Sequence, residues 1–426
     1  MNISKYKNTF VNNLLLSLLF TGQFLALAFE HLLKISGLYF LIFAAACIYG
    51  IKSIIIRGTS TTVNSLDFFW AGYFVFFLIS AGLFGHSNFV KFLFLFTSQA
   101  VIPFFLGRAL DIYNNARKIN FYLNLLFILY FVILIYLYAL DPSVFHADRF
   151  YPFVDRSVPE AGGDPTQLFL GYGLAAIFLS NYFVIRSPND GSIKYRMLNI
   201  CIFFGCIILL MLVGSRSSVV ALLAILIINE VRDKINLKKS IFIILSALFI
   251  FLSAVNFASE ERLSFFSELS IVFDMGVNNL SCVYSEEGSI LYRLSGFLQS
   301  LNLFINNPIF GVGVGNYGWF YCGVKGDFIY PHNIAAQILA EAGLIGLFIF
   351  IFCIFGILKK NNNLFNFPGG DNPLLIDKFL FNFWLFCFLI AIFSGNSYGD
   401  PLFYLLSGIV SRKRRNYFAV KDVNKI

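Results

Sequence analysis

Three residues far apart in the chain, Arg216, Arg293 and His332, carry side chains suited to a group transfer from a phosphate carrier. An imidazole titrates in the range where it can take a proton from a hydroxyl near neutral pH. A guanidinium is planar, permanently charged and forked, which suits a phosphate or diphosphate. His332 stands in Pro331-His332-Asn333, at the head of an apolar run that contains Glu341. Taken alone it reads as an interfacial histidine bonded to its own loop; its setting, given below, changes that reading. Arg216 lies in GSRSSVVALLAILIIN, ahead of an apolar stretch at 217–229. Such a stretch makes roughly 20 Å of helix, short of a ~30 Å hydrocarbon core. Arg216 is therefore drawn below the outer headgroups at a helix N-terminus, where an anion is favoured. The bland alternative is an arginine paired with a lipid headgroup or a carboxylate. Arg293 belongs to 289–306, SILYRLSGFLQSLNLFIN, whose apolar spacing is helical and suits the membrane surface.

Other residues extend the set. Arg149 and Arg156 share a loop with His146, Asp148, Asp155, Glu160 and Asp164. They read either as solvated loop charges or as part of a basic patch converging on a diphosphate. Gly311, Gly313 and Gly315 alternate with other residues after Pro308. A nucleotide loop is rejected, because no strand–turn–helix context surrounds them. Alternating glycines shape a loop so that backbone can approach a ligand or a neighbouring helix. Glu341, within an apolar run, is expected to face the bundle and pair with a polar group, a structural role being favoured over proton abstraction. Cys282 and Cys322 share one outside loop, where a disulfide is permitted but spacing alone does not establish it. The other five cysteines, Cys47, Cys201, Cys206, Cys353 and Cys387, lie in apolar runs as small packing residues. No CxxC or HExxH spacing occurs, so no metal site is expected.

The elements that must position these groups are membrane helices. The chain has 426 residues, 58% hydrophobic and 13% charged, against about 25% charged in soluble domains. Apolar runs predict about twelve spans, near 10–29, 36–56, 66–84, 89–108, 119–140, 166–185, 196–213, 217–229, 240–257, 333–357, 376–394 and 398–411. The expected fold is all-α, a polytopic membrane helical bundle forming one integral membrane domain over 1–426. Strand alternation is absent, which argues against a barrel. The first apolar run, 12–29, lacks a cleavage-site pattern and reads as a span. With the N-terminus in the cytoplasm, 23 of the 31 Lys and Arg residues fall inside and 8 outside, so both termini are expected to be cytoplasmic. The net charge of +8 then reflects cytoplasmic loops and does not suggest nucleic acid. All four histidines fall outside, as do two long loops, 141–165 and 258–332. A loop of about 75 residues is too long to be idle in a compact protein.

NPIFGVGVGNYGWF, then PHN, then ILAEAGLIGLFIF resembles the signature region of the O-antigen ligase and O-antigen polymerase superfamily of bacterial membrane glycosyltransferases. The matching positions are Pro308, Gly311, Gly313, His332, Asn333, Glu341, Gly343 and Gly346. GSRSSVVALLA is similar to the family's arginine-bearing segment and carries Arg216; Arg293 sits where the family often has an arginine upstream of the Pro-x-x-Gly run. Ile334 departs from the small polar residue that frequently follows His-Asn. In the N-terminal half the resemblance rests on topology alone.

The resemblance implies transfer of a glycan from an undecaprenyl diphosphate carrier to an acceptor sugar hydroxyl at the periplasmic face of the bacterial inner membrane. It implies no cofactor, no metal and no ATP. The arginines would bind the diphosphate and His332 would serve the acceptor hydroxyl. Asn333 and Glu341 are further candidate substrate contacts. The acceptor is a carrier-linked repeat unit in a polymerase and lipid A-core in a ligase. The Phe-rich, Asn-rich composition leans towards a polymerase, for which a chain-length regulator is a candidate partner alongside membrane lipids. A lipid-linked sugar transporter or flippase is the rival class. It would spread ionisable residues along a path through several spans, whereas this chain concentrates them at the outer face.

Overall fold

The computed structural model describes residues 3–33, 38–57, 63–84, 89–110, 116–140, 166–187, 193–212, 215–232, 289–320, 330–362, 372–395 and 397–412. Among the described residues there is no strand. The helices are α1 (Ile3–Leu33), α2 (Leu38–Arg57), α3 (Ser65–Leu83), α4 (Phe89–Phe96), α5 (Ile102–Ala109), α6 (Ala116–Leu140), α7 (Thr166–Arg186), α8 (Ile193–Leu212), α9 (Arg216–Arg232), α10 (Ser289–Asn306), α11 (Tyr317–Phe320), α12 (Ile334–Asn361), α13 (Asn372–Ser394) and α14 (Pro401–Val410). In lipid every backbone polar group must be satisfied within the protein, and apolar runs this long meet that demand as helices.

Eight of these segments are long and apolar enough to cross a membrane, α4 and α5 counting as one through the π-turn Thr97–Val101 that joins them. Three shorter apolar helices accompany them, at Leu41–Lys52, Ser217–Val231 and Pro401–Val410. The described residues thus give a polytopic all-α membrane bundle. The expected span at 240–257 and the loop 141–165 lie outside the described residues, as do 258–288 of the larger loop. The last expected span, 398–411, begins instead at Pro401. Asp400 caps α14 by accepting the Phe403 N–H at 3.1 Å, and Pro401 fills the first helical position, where a missing N–H costs nothing.

Packing explains the order of layers. α7 is the most buried of the long spans and α8 the least, so α7 runs through the middle and α8 along the rim. α14 and α5 cross with their backbones nearly touching: a methyl group on Gly107 would stand 2.1 Å from the Leu405 carbonyl oxygen. Small residues permit this approach where two apolar surfaces gain nothing by leaving lipid. Aromatic rings fill the rest, with Trp70 against Tyr73, Phe104, Phe403 and Tyr404. Among α6, α7 and α8, polar side chains form a connected set: Asn120 and Asn124 each donate to Asn199, and Ser180 donates to Asn120. One end of the bundle carries ion pairs, Asp67–Arg108 at 2.7 Å and Glu230–Arg186. The candidate residues gather at the other end.

Candidate functional site

α12 does not run straight. At Gly343 the backbone takes φ 61° and ψ −158°, outside the helical region. The break frees carbonyls and amides of the preceding and following turns, and the segment 308–313 satisfies them. Val312 and Gly313 donate to the carbonyls of Ala340 and Glu341, both at 2.9 Å. In return Leu344 and Ile345 donate to the carbonyls of Pro308 and Ile309, at 2.9 and 3.3 Å. Irregular backbone at membrane depth is tolerated only when repaired in this way. The segment therefore lies against α12 main chain to main chain, and Gly311, Gly313 and Gly315 all take positive φ, 67°, 94° and 83°. A Cβ on Gly311 would meet the Glu341 carbonyl carbon at 2.4 Å, so no other residue fits there.

Glu341 locks this arrangement. It is fully buried. Its Oε1 accepts the Tyr317 N–H at 3.1 Å, and Oε2 accepts the Gln337 amide at 3.3 Å. The Gly315 N–H also donates to it. Two of these partners, Gly315 and Tyr317, tie the carboxylate to the loop that precedes α12, the structural role favoured for an intramembrane acid. Gln337 continues the tie by accepting the Ser397 N–H at 2.8 Å, from the segment that leads into α14.

Tyr317 connects the loop to α10. Its hydroxyl donates to the Gly296 carbonyl at 2.8 Å. Gly296 in turn faces Pro331, whose Cα would stand 3.0 Å from a Cβ at position 296. Arg293 lies one turn before Gly296 on the same face of α10, as residues three apart do. Its guanidinium donates to the Phe393 carbonyl at the end of α13, at 3.2 Å. The helix expected at 289–306 is thus present, and it brings Arg293 alongside the peptide that carries His332.

His332 is the one non-glycine residue among those described with positive φ, at 53°. Such a conformation is uncommon and clusters at functional sites. Its neighbours hold it on both sides. Pro331 is buried against Gly296, and Asn333 caps α12, accepting the Ala336 N–H at 2.9 Å. Pro331 stands too early to open α12, and Asn333 takes that task. The Asn333 side-chain oxygen is thereby engaged in the cap. The Tyr330 ring packs on the imidazole with centroids 4.4 Å apart.

Arg216 is the first residue of α9. The serines around it, Ser215 and Ser218, hydrogen-bond to each other at 2.8 Å and press on α7. A Cβ on Gly171 would stand 2.3 Å from the Ser218 hydroxyl. The next residue, Tyr172, donates to Asp400 at 2.6 Å. Asp400 and Arg293 both act on the Tyr330 phenol. Burial pushes that phenol above its ordinary range, the Arg293 guanidinium draws it down, and the Asp400 carboxylate pushes it up. The starts of α7, α9, α12 and α14 and the end of α13 therefore meet at one end of the bundle. Arg293 and His332 share a neighbour there, and the backbone of Arg216 stands one helix away.

Three members of this group, Tyr172, Tyr330 and Asp400, were not among the residues singled out from sequence. Asp400-Pro401 carries a helix-start signal that marks the acid. Tyr330 and Tyr172 sit among many aromatics and carry none. Of the residues that were singled out, Arg149, Arg156, Cys282 and Cys322 lie outside the described residues.

Residues 201–351 match the family model described as O-antigen ligase. No curated protein matches the chain. The matched stretch contains Arg216, Arg293, the loop glycines, His332 and Glu341, and runs from within α8 to beyond the break in α12. Through residues 201–351, about a third of its length, the chain is similar to the O-antigen ligase family.

Proposed function

We propose that the protein transfers a glycan from an undecaprenyl diphosphate carrier to an acceptor sugar hydroxyl, at the periplasmic face of the inner membrane, as a surface-polysaccharide polymerase. The observation that carries the reading is that Arg293 and His332 share Tyr330 as a neighbour, with His332 held at positive φ. The family match supports the same class of reaction.

The donor already has a good leaving group. Transfer breaks the bond between the anomeric carbon and the diphosphate oxygen, and the electron pair leaves with the diphosphate. The acceptor oxygen bonds the anomeric carbon, and its proton passes to the His332 imidazole. Arg216 and Arg293 offset the charge that grows on the departing diphosphate, which is most effective where water is excluded. A lipid-borne donor accounts for a site at the rim of a helical bundle rather than in a soluble domain.

The test has two arms. Purified protein in lipid nanodiscs, given a diphosphate-linked oligosaccharide of undecaprenol, should lengthen the glycan and release undecaprenyl diphosphate without an added energy source. Failure to do so overturns the reading. A gel of surface glycan from a deletion strain fixes the acceptor. Single repeats on lipid A-core mark a polymerase, whereas a polymer stranded on its carrier marks a ligase and overturns the choice made here.

A further inference from the structure

We propose that Tyr330 is a positioning residue that holds the His332 imidazole in its working orientation by packing its ring against it. The inference rests on the reading of the site given above. Pro331 against Gly296 and the Asn333 cap fix the His332 backbone on both sides. Neither fixes rotation of the imidazole about its own side-chain bonds. The Tyr330 ring does, lying 4.4 Å from the imidazole centroid to centroid at an angle of 46°. The rings are tilted, between stacked and edge-on, and lie at the short end of the distances at which aromatic rings pack.

The ring also has a second set of neighbours. The Tyr330 phenol lies within electrostatic reach of Arg293 and of Asp400, and Asp400 accepts the Tyr172 hydroxyl at 2.6 Å. Tyr330 thus neighbours both the imidazole and the guanidinium. A flat side chain there keeps the proton acceptor at a set distance from the diphosphate site. Misplacement of a reacting group by about 1 Å costs on the order of a hundredfold in rate, so a wall of this kind matters to turnover more than to binding. The task belongs to the ring and not to the hydroxyl, because the ring makes the contact with His332.

Y330F and Y330A separate the two. The full-length protein is purified in nanodiscs with its four histidines labelled with carbon-13. The His332 resonance is assigned by its loss in H332A. In Y330F the ring-current displacement of that resonance should persist, and kcat should stay within about threefold of the parent. In Y330A the resonance should move towards that of free histidine. The kcat should fall by about tenfold or more, with the donor KM within about threefold. Where Y330A does not accumulate as folded protein, Y330L replaces it, filling space without a flat face, with the same expected result. An unmoved His332 resonance in the alanine or leucine variant overturns the inference, as does an unchanged kcat. Equal losses in Y330F and Y330A assign the effect to the hydroxyl and overturn it too. If the parent protein transfers no glycan, the functional reading falls, and the catalytic half of this inference falls with it. The resonance arm then still decides whether Tyr330 holds the imidazole.

Discussion

Gly311 and Gly343 lie main chain against main chain: a Cβ on Gly343 would stand 2.7 Å from the Gly311 nitrogen and 2.4 Å from the Ile309 carbonyl oxygen. Both take positive φ. Alanine at 343 would therefore meet strain in the backbone and a collision with a second backbone that cannot swing aside. G343A should cost roughly 2–4 kcal/mol of stability. Thermal unfolding in detergent, followed by tryptophan fluorescence, should show a clear drop in midpoint. A glycine of the regular helix α3 with open space around it, Gly72, supplies the control, and G72A should leave the midpoint unmoved or raise it.

The second prediction concerns Glu341. Its carboxylate accepts N–H groups from Gly315 and Tyr317 and the Gln337 amide. Removing it leaves buried donors unmet, at about 1–3 kcal/mol for each that finds no other partner. The loss should fall on the loop before it spreads further. In E341A, hydrogen exchange at the amides of 313–317 should accelerate by tenfold or more, about 1.4 kcal/mol, while α7 keeps its protection. Uniform loosening of the whole bundle would argue against a local clasp.

Much of this arrangement was legible in the chain. A charge in an apolar sequence stands out, so Arg216, Arg293 and His332 could be named by type and place. Span positions followed from apolar length, and each described helix that answers to an expected one begins or ends within a few residues of its expected bound, whereas the short α11 was not expected. The break at Gly343 was not legible, because Gly-Leu-Ile-Gly inside an apolar helix is unremarkable until a second backbone is seen to dock there. The start of α12 is marked by Asn333, three residues before Ala336, a capping signal of the ordinary kind. Tyr172, Tyr330 and Asp400 come together only through tertiary packing, from segments more than 60 residues apart, which no spacing rule can read.

Tyr172 and Asp400 give the third prediction. The bond between them is 2.6 Å long and buried, and it joins α7 to the start of α14. Y172F removes the donor and leaves one carboxylate oxygen of Asp400 without this partner. The cost should be roughly 1–3 kcal/mol. The Asp400 cap on Phe403 persists in this variant, so α14 should still form. Urea or thermal unfolding of Y172F against the parent checks the figure. A double variant, Y172F with D400N, should lose less than the two single losses combined, because each removes the same bond.

The last prediction asks whether two arginines grip one diphosphate. Arg216 opens α9, and Arg293 reaches the end of α13 beside the His332 peptide. Lysine at either position keeps the charge but loses the planar fork. R216K and R293K should each raise the donor KM and lower kcat/KM by about tenfold or more, and the double variant should lose less than the product of the two. A full product would mean that the arginines act on separate groups. H332A supplies the contrast: kcat should fall by about 10²–10⁴ with donor KM nearly unchanged, since the imidazole serves the acceptor proton and not the carrier. A base must be neutral to act, so the parent's rate should fall at acid pH, and that fall should vanish from the residual activity of H332A. Its persistence would assign that limb to another group and remove His332 from proton transfer.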